Sequence, residues 1–237
     1  MRNTLILAAL ASLATAAAAD ISAYSQDFEG LNQASPTALG NDGWLVGANV
    51  FDSGGGFLYN YFAFPAPNGG PAFSAIASGQ GGPDQGNQQL VVYSDYNNGD
   101  HGNGNIIEAN FFREYIVGAG NVGQTWSFSF DYKRGDIGGS STALAFIKTL
   151  DPNAGYALTN FLIFDTTNAD TLWSRHTLSL FIDASLTGQI FQIGFLNTAT
   201  NYEPSGIFYD NINLVPAPSG LAALAAFGLV ASRRRRN

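Results

Sequence analysis

The 237-residue sequence contains no cysteine, so no disulfide can stabilise its fold. Cations are also scarce, with ten Lys and Arg against 18 Asp and Glu. Half of these cations, Arg2 and residues 233–236, lie in the terminal segments, whereas every acidic residue lies between Asp20 and Asp210. Residues 20–215 therefore carry five cations and 18 anions, a net charge of −13. A surface of this charge repels phosphate backbones and anionic lipid, which argues against nucleic-acid binding.

Side chains that act as an unperturbed general base near neutral pH are few. His101 and His176 are the only histidines, and neither lies near a nucleophile motif such as Gly-x-Ser-x-Gly. We expect both imidazoles at solvated surfaces. A glycosidase needs two carboxyl groups within about 5 to 10 Å, but Glu108 and Glu114, on one strand face, would be about 20 Å apart. The sequence thus predicts a protein that is not an enzyme, although other carboxylates could converge in the fold.

The N-terminus has the features of a secretory signal peptide. Arg2 provides a short positive region, residues 5–14 are apolar, and three alanines ending at Ala19 precede Asp20. This order fits the rule for signal-peptidase cleavage after small residues. We predict that residues 1–19 form a signal helix that is removed on export.

The last 22 residues form a second unit of distinct composition. Pro216, Ala217 and Pro218 precede an apolar run at residues 221–230, and the arginines Arg233, Arg234, Arg235 and Arg236 follow. This order resembles the PEP-CTERM sorting signal of exported bacterial proteins, with Pro-Ala-Pro in place of the central Glu of the family's name. The resemblance implies recognition by an exosortase-type membrane protease, removal of the tail, and release or attachment at the cell envelope.

The physical properties of this tail are compatible with that topology. Its apolar run, which we expect to be a short helix, is shorter than the roughly 20 residues that span a bilayer. The arginines would remain cytoplasmic, with the rest of the chain outside. A permanent tail anchor or a plain basic tail is the alternative.

Between these ends, the sequence predicts a single all-β domain at residues 20–215. Short aromatic or β-branched runs alternate with Gly-, Asn-, Asp- and Pro-rich segments, and no stretch shows a capped helical period. Trp126 to Phe130 alternates between aromatic and hydroxyl side chains, which places Trp126 in the core. Twelve strands are predicted, and they favour a two-sheet jelly-roll sandwich: 21–28, 48–51, 57–64, 73–77, 89–94, 105–117, 124–133, 142–150, 158–165, 172–182, 189–197 and 206–214.

Both ends of this domain resemble carbohydrate-binding jelly-roll modules. The similar segments are residues 27–30 (Asp-Phe-Glu-Gly), residues 43–44 (Gly-Trp) and residues 208–212 (Phe-Tyr-Asp-Asn-Ile). The resemblance implies that the first and last strands are neighbours and that they share a structural calcium. It also implies an exported, non-catalytic domain that binds polysaccharide or another surface component. A polysaccharide hydrolase or lyase on this fold, or a purely structural matrix protein, is the alternative.

Candidate calcium ligands follow from that resemblance. Glu29 and Asp210 would supply carboxylates, and Asp27 or Asp42 would be weaker candidates, since calcium takes six to eight oxygen ligands. Because neighbours on a strand alternate between its faces, we expect Asp27 and Glu29 to share one face of the first strand. Solvated carboxylates on an edge strand are the alternative.

Two tyrosines are candidate ligand-binding residues. Tyr96 and Tyr202 lie in polar loops, where we expect exposed rings on which sugars could stack. Loops on a rigid sandwich often carry binding residues.

Overall fold

The computed structural model describes residues 19–67 and 72–217. The predicted signal helix lies outside the described residues apart from Ala19. The predicted sorting tail, with its apolar helix, lies outside them apart from Pro216 and Ala217. Among the described residues, no helix is long and apolar enough to cross a membrane.

Strands dominate the described residues, as the sequence predicted. The single short α-helix described, α1, spans Ala38–Asn41. The strands are β1 (Tyr24–Gln26), β2 (Leu45–Phe51), β3 (Phe57–Pro65), β4 (Ser74–Ser78), β5 (Gln88–Val92), β6 (Ile106–Ile116), β7 (Thr125–Arg134), β8 (Thr142–Asp151), β9 (Ala157–Asp165), β10 (Ser174–Phe181), β11 (Ile190–Ala199) and β12 (Ile207–Pro216).

These strands form two six-stranded antiparallel sheets. The first sheet has the order β10-β7-β12-β5-β4, and β1 also pairs with β12. The second sheet has the order β3-β2-β6-β11-β8-β9. The two sheets pack as a sandwich, which confirms the predicted jelly-roll class. Pairing of Tyr24 with Leu214 makes the first and last strands neighbours, as the resemblance implied.

The core between the sheets follows the alternation of the sequence. Trp126, Phe128 and Phe130 on β7 are buried, which confirms the predicted inward face of this strand. The ring of Phe195 on β11 stacks on Tyr209 of β12 at 3.6 Å between centroids, so the central strands of the two sheets meet there. Burial of each such side chain contributes about 1.5 to 3 kcal/mol.

One local prediction was wrong. Asp27 and Glu29 do not lie on a strand, because β1 ends at Gln26. The chain turns at Phe28, whose φ of 60° is left-handed and incompatible with a continuing strand. The Phe28 ring is fully buried, so core packing holds this turn in place.

Candidate functional site

The outer face of the second sheet, turned away from the core, differs from an ordinary solvated surface. On β6, Ile107, Ala109 and Phe111 point into the core, so the residues between them point outward. The central outward residues, Phe112, Phe146 and Leu196, form an apolar cluster separate from the main core. The outer face is lined by these three and by Asn49, Phe62, Glu108, Asn110, Glu114, Lys148, Phe161 and Gln192.

Aromatic side chains from the two edge strands of this sheet, β3 and β9, pack on this face. The Phe62 ring on β3 lies 6.3 Å from Phe112, and the Phe161 ring on β9 lies 6.2 Å from Phe146, between centroids. Gly47 lies beneath the first of these rings, since a β-carbon there would come within 2.4 Å of the Phe62 ring. A glycine at this position therefore lets Phe62 lie flat on the sheet.

Lys148 places a cation at the middle of this face. Its side chain is only 9% exposed, and Nζ donates a hydrogen bond to Asn110 Oδ1 at 3.3 Å. Nζ also lies 4.6 Å from the centroid of the Phe146 ring. The salt bridges within residues 19–67 and 72–217 join Arg113 to Asp42 and Arg175 to Asp131, so Lys148 takes part in none. Burial lowers its pKa to about 8, although the charges of Glu108 and Glu114 oppose this shift.

Two carboxyl groups on β6 lie on either side of Asn110, the hydrogen-bond partner of Lys148. Glu108 is buried, and its Oε1 accepts a hydrogen bond from Asn49 Nδ2 at 2.8 Å. Glu114 is half-buried, and its Oε2 accepts one from Gln192 Nε2 at 2.6 Å. Burial raises the pKa of both carboxyl groups. Six residues separate them on one strand, so they lie about 20 Å apart, too far for a glycosidase pair.

The two amides beside these carboxyls keep unused acceptors. Asn49 Oδ1 and Gln192 Oε1 are buried and have no hydrogen-bond partner within the protein. An unsatisfied buried polar group costs about 1 to 3 kcal/mol, so such atoms need an explanation. Neither atom has accessible surface, so a donor from outside the protein reaches them only if neighbouring side chains move.

The first sheet carries the carboxylates that the sequence nominated for calcium. A bulge in β12 between Asp210 and Asn213 buries Asp210 completely. Its Oδ1 accepts a hydrogen bond from the Asn211 amide at 2.6 Å, whereas its Oδ2 is buried without a partner. Burial, together with the charges of Asp131, Asp27 and Glu29, raises the pKa of Asp210 to about 7. Asp27 and Glu29 therefore lie near enough to act electrostatically on Asp210.

The remaining candidates have contacts of their own. Glu29 is exposed, and its Oε1 accepts the amides of Asn87 and Gln88 at 2.7 and 2.6 Å. Asp27 Oδ1 accepts the Glu29 amide at 3.2 Å. Asp42 instead accepts the Tyr24 hydroxyl at 2.6 Å and lies 3.8 Å from Arg113.

Asp42 therefore belongs to a different ion pair, with Arg113. Among the described residues, no group of three or more His, Asp or Glu side chains could hold a metal ion. Calcium at Asp210 would therefore depend on main-chain oxygens as well as carboxylates.

A cavity of about 410 Å³ opens beside this acidic cluster on the first sheet. Asp27, Arg175, Asn211 and Asn213 are among its lining residues. Arg175 donates to Asp131 Oδ1 at 2.8 Å, and Asn211 Nδ2 donates to Asp131 Oδ2 at the same distance. The cation of this cavity, Arg175, is thus already paired within the protein, unlike Lys148 on the second sheet.

The two candidate tyrosines lie in a stack of rings at one end of the sandwich. The rings of Tyr93, Tyr96, His101 and Tyr202 follow one another at 5.9, 5.3 and 5.0 Å between centroids. Tyr96 is half-buried, and its hydroxyl donates to the Glu203 carbonyl at 2.5 Å. Tyr202 is 51% exposed and ends the stack. Tyr96 thus anchors its loop, and only Tyr202 presents much of its ring to solvent.

Both expectations of freely solvated histidines require revision. His101 is fully buried, and burial lowers its pKa, so the expectation for this residue was wrong. His176 on β10 is half-buried, with its ring stacked on Phe164 at 3.6 Å. Both imidazoles therefore pack against aromatic rings.

Sequence reasoning did not identify Lys148, Asn49, Asn110 or Gln192 as site residues. The available signal was a set of polar residues on one face of a strongly apolar strand, Glu108, Asn110 and Glu114, interrupted by Phe112. Lys148 is likewise the only charged residue between positions 142 and 150. The sequence pattern of one strand does not show which strands are its neighbours. It therefore cannot show which of these residues share a face of the sheet.

Comparisons with known proteins leave the family of this chain unassigned. No protein-family model matches it, and no curated protein matches it. Among solved structures, it is similar to the enzymatically active domain of tailspike protein 4 of bacteriophage CBA120, with 14% identity and a TM-score of 0.45. That match covers 79% of this chain and 21% of the other, so the chain spans about a fifth of the tailspike structure.

Two further matches to solved structures cover most of the length of the matched protein. The CBM22-2 xylan-binding domain of Paenibacillus barcinonensis Xyn10C has 13% identity and a TM-score of 0.41, over 82% of this chain and 99% of that domain. A cyclase from Fischerella sp. TAU has 14% identity and a TM-score of 0.45, over 82% of this chain and 94% of the cyclase. Similarities of this size assign neither a ligand nor a reaction to this chain.

Proposed function

We propose that this protein is an exported, non-catalytic β-sandwich that binds polysaccharide on the outer face of the second sheet. The observation that carries the proposal is the set of buried polar atoms without protein partners, Asn49 Oδ1 and Gln192 Oε1, beside the aromatic rings of Phe62 and Phe161. Binding sites combine apolar walls with a few convergent polar groups in this way.

A glycan fits these groups better than a wholly apolar ligand. Sugar hydroxyls can donate to the two free amide oxygens, and apolar sugar faces can pack against phenylalanine rings. Each satisfied acceptor removes part of the cost of its burial. The polar groups extend along β6 from Glu108 to Glu114, about 20 Å, which suits an extended chain better than a single sugar.

The positions of the two carboxyl groups on this face favour binding without catalysis. Glu108 and Glu114 are each held by an amide and are too far apart to act on one glycosidic bond. A hydrolase or lyase would release products from a bound polymer, and a purely structural matrix protein would bind none.

Affinity electrophoresis of the full chain through gels containing neutral and acidic polysaccharides tests this proposal. We expect at least one polymer to retard the wild-type chain without release of products. Phe62→Ala and Phe161→Ala should each reduce the retardation. Phe181→Ala is the matched control, because Phe181 is a 56% exposed phenylalanine on an edge strand of the other sheet. Equal retardation of all variants, or none by any polymer, would refute the assignment.

We also propose a structural calcium at the bulge of β12. The support is Asp210 Oδ2, buried without a partner and near enough to Asp27 and Glu29 for their charges to act on it. Bound calcium would neutralise these carboxylates and stabilise the pairing of the first and last strands. Thermal unfolding in calcium and in chelator is the test, and an unchanged midpoint would remove calcium from the account.

Export and sorting complete the proposal. The support is the order of residues at the two ends of the chain, which fits cleavage by signal peptidase between Ala19 and Asp20 and by an exosortase-type protease at the Pro216–Pro218 box. The protein would then act at the cell surface or in the extracellular matrix. Mass spectrometry of the protein from an exosortase-positive bacterium and from its exosortase deletion strain should show both cleavages in the first and only the N-terminal cleavage in the second. An intact tail in both strains would refute the sorting proposal.

A further inference from the structure

Lys148 is the cation of the described outer face, and its surroundings do not neutralise it locally. Its Nζ has one hydrogen bond, to the neutral Asn110 amide at 3.3 Å, and lies over the rings of Phe146 and Phe112 at 4.6 and 5.7 Å. Lys148 takes part in no salt bridge among the described residues, which means that no described carboxylate oxygen lies within 4.0 Å. An ammonium group can donate three hydrogen bonds, so donor capacity remains.

A buried charge without a close partner is costly to keep in a folded protein. Lysine is almost never fully buried unless it is paired. Lys148 lies on β8 between the flanking strands β11 and β9, whose facing residues, Gln192 and Phe161, carry no charge. The nearest carboxyls, on β6, are held by Asn49 and by Gln192.

We propose that the outer face of the second sheet selects acidic glycans and that Lys148 binds their anionic group. This inference rests on the polysaccharide-binding function proposed above and names its ligand class. The anionic group is a uronate carboxylate or a sulfate ester, since either accepts charge-assisted hydrogen bonds from an ammonium group. Hydroxyl groups of the same glycan donate to Asn49 Oδ1 and Gln192 Oε1.

The net charge of −13 on residues 20–215 does not prevent such binding. Repulsion between exposed charges is screened beyond about 8 Å at physiological ionic strength, whereas contacts in a buried site are screened much less. Recognition of the anion therefore depends on the side chain in direct contact with it, which is Lys148.

The test compares each acidic polymer with its neutral counterpart. Polygalacturonate and alginate are each offered beside their carboxyl-reduced forms, and a sulfated galactan beside its desulfated form, in affinity gels at 0.15 M salt. We expect the full chain to bind at least one acidic form about ten-fold or more tightly than its neutral counterpart, as a charge-assisted hydrogen bond would give. The polymer pair that shows the preference identifies the anion.

Lys148→Met removes the charge and keeps a long apolar side chain, so it should abolish this preference while binding to the neutral form persists. Lys133→Met is the matched control on the other sheet, and it should leave the preference unchanged. Equal binding of acidic and neutral forms by the wild-type chain would overturn the inference and leave the proposed function standing. A preference that survives Lys148→Met would also overturn it. Failure to bind any polymer would instead refute the proposed function.

Discussion

Replacement of Lys148 by methionine should stabilise the free protein at neutral pH. Burial lowers the pKa of this ammonium group to about 8, compared with about 10.4 in an unfolded chain. At pH 7 the group is charged in both states, so the folded state bears the full cost of its burial. A difference of roughly 2.4 pKa units corresponds to about 3 kcal/mol.

The expected net gain is smaller than this figure. Methionine cannot donate to Asn110 Oδ1, and loss of that hydrogen bond costs about 1 kcal/mol. The methionine side chain can keep the packing against Phe112 and Phe146. We therefore expect Lys148→Met to unfold with a free energy about 2 kcal/mol larger than that of the wild-type chain at pH 7.

The pH dependence of this difference has a definite sign. Between about pH 8 and pH 10.4, the unfolded wild-type chain binds more protons than the folded chain, so its stability rises with pH relative to the variant. Burial raises the pKa of Glu108 and Glu114, whose charges favour the ammonium form of Lys148, and both carboxyl groups titrate in the wild-type chain and in the variant. The advantage of Lys148→Met should therefore fall by about 2 to 3 kcal/mol between pH 7 and pH 10.

Urea unfolding of both chains at pH 7 and pH 10, followed by tryptophan fluorescence, measures these differences. Lys133→Met is the control, and it should lose stability slightly, because Lys133 Nζ donates to the Gln80 carbonyl at 2.5 Å. A Lys148→Met chain that is less stable than wild type at pH 7 would refute the reasoning, since the charge would then be neutralised within the free protein.

Three further predictions concern other parts of the molecule. Gly47→Ala should destabilise the fold by about 1 to 3 kcal/mol in urea unfolding and weaken glycan binding, because the new methyl group overlaps Phe62; unchanged binding would show that the Phe62 position is irrelevant to the ligand. Tyr96→Phe should lower the free energy of unfolding by about 0.5 to 1.5 kcal/mol through loss of its bond to the Glu203 carbonyl, with glycan binding unaffected. Asp210→Asn should abolish any rise in melting temperature on addition of calcium; a full rise in this variant would place the ion elsewhere.

Much of the fold was predictable because β-strand alternation is a local signal. The segment from Trp126 to Phe130 alternates in sequence, and its aromatic residues lie in the core of the structure. The segment from Gln189 to Phe195 is apolar at most positions, which is typical of a central strand, and β11 lies between β6 and β8. The turn at Phe28 was not predictable in this way, because tertiary burial of one ring overrides the extended preference of its neighbours.

The candidate site was much less predictable than the fold. Glu108 and Lys148 are 40 positions apart in the sequence, and only the insertion of β11 between β6 and β8 places them on one face. Glu108 and Glu114 lie too far apart for a catalytic pair, which the geometry of one strand is enough to predict. The contact of Lys148, from another strand, with Asn110 between them does not follow from that geometry.

We propose that glycan binds on the outer face of the second sheet. The NMR signals of side-chain amides on this face would report such binding directly. The isotope-labelled full-length chain is titrated with oligosaccharides of a polymer that retards it in the affinity gels. NMR then resolves the NH₂ signals of individual Asn and Gln residues. We predict that the largest shifts belong to Asn49, Asn110 and Gln192. Shifts confined to Asn211 and Asn213, on the opposite sheet, would contradict the account.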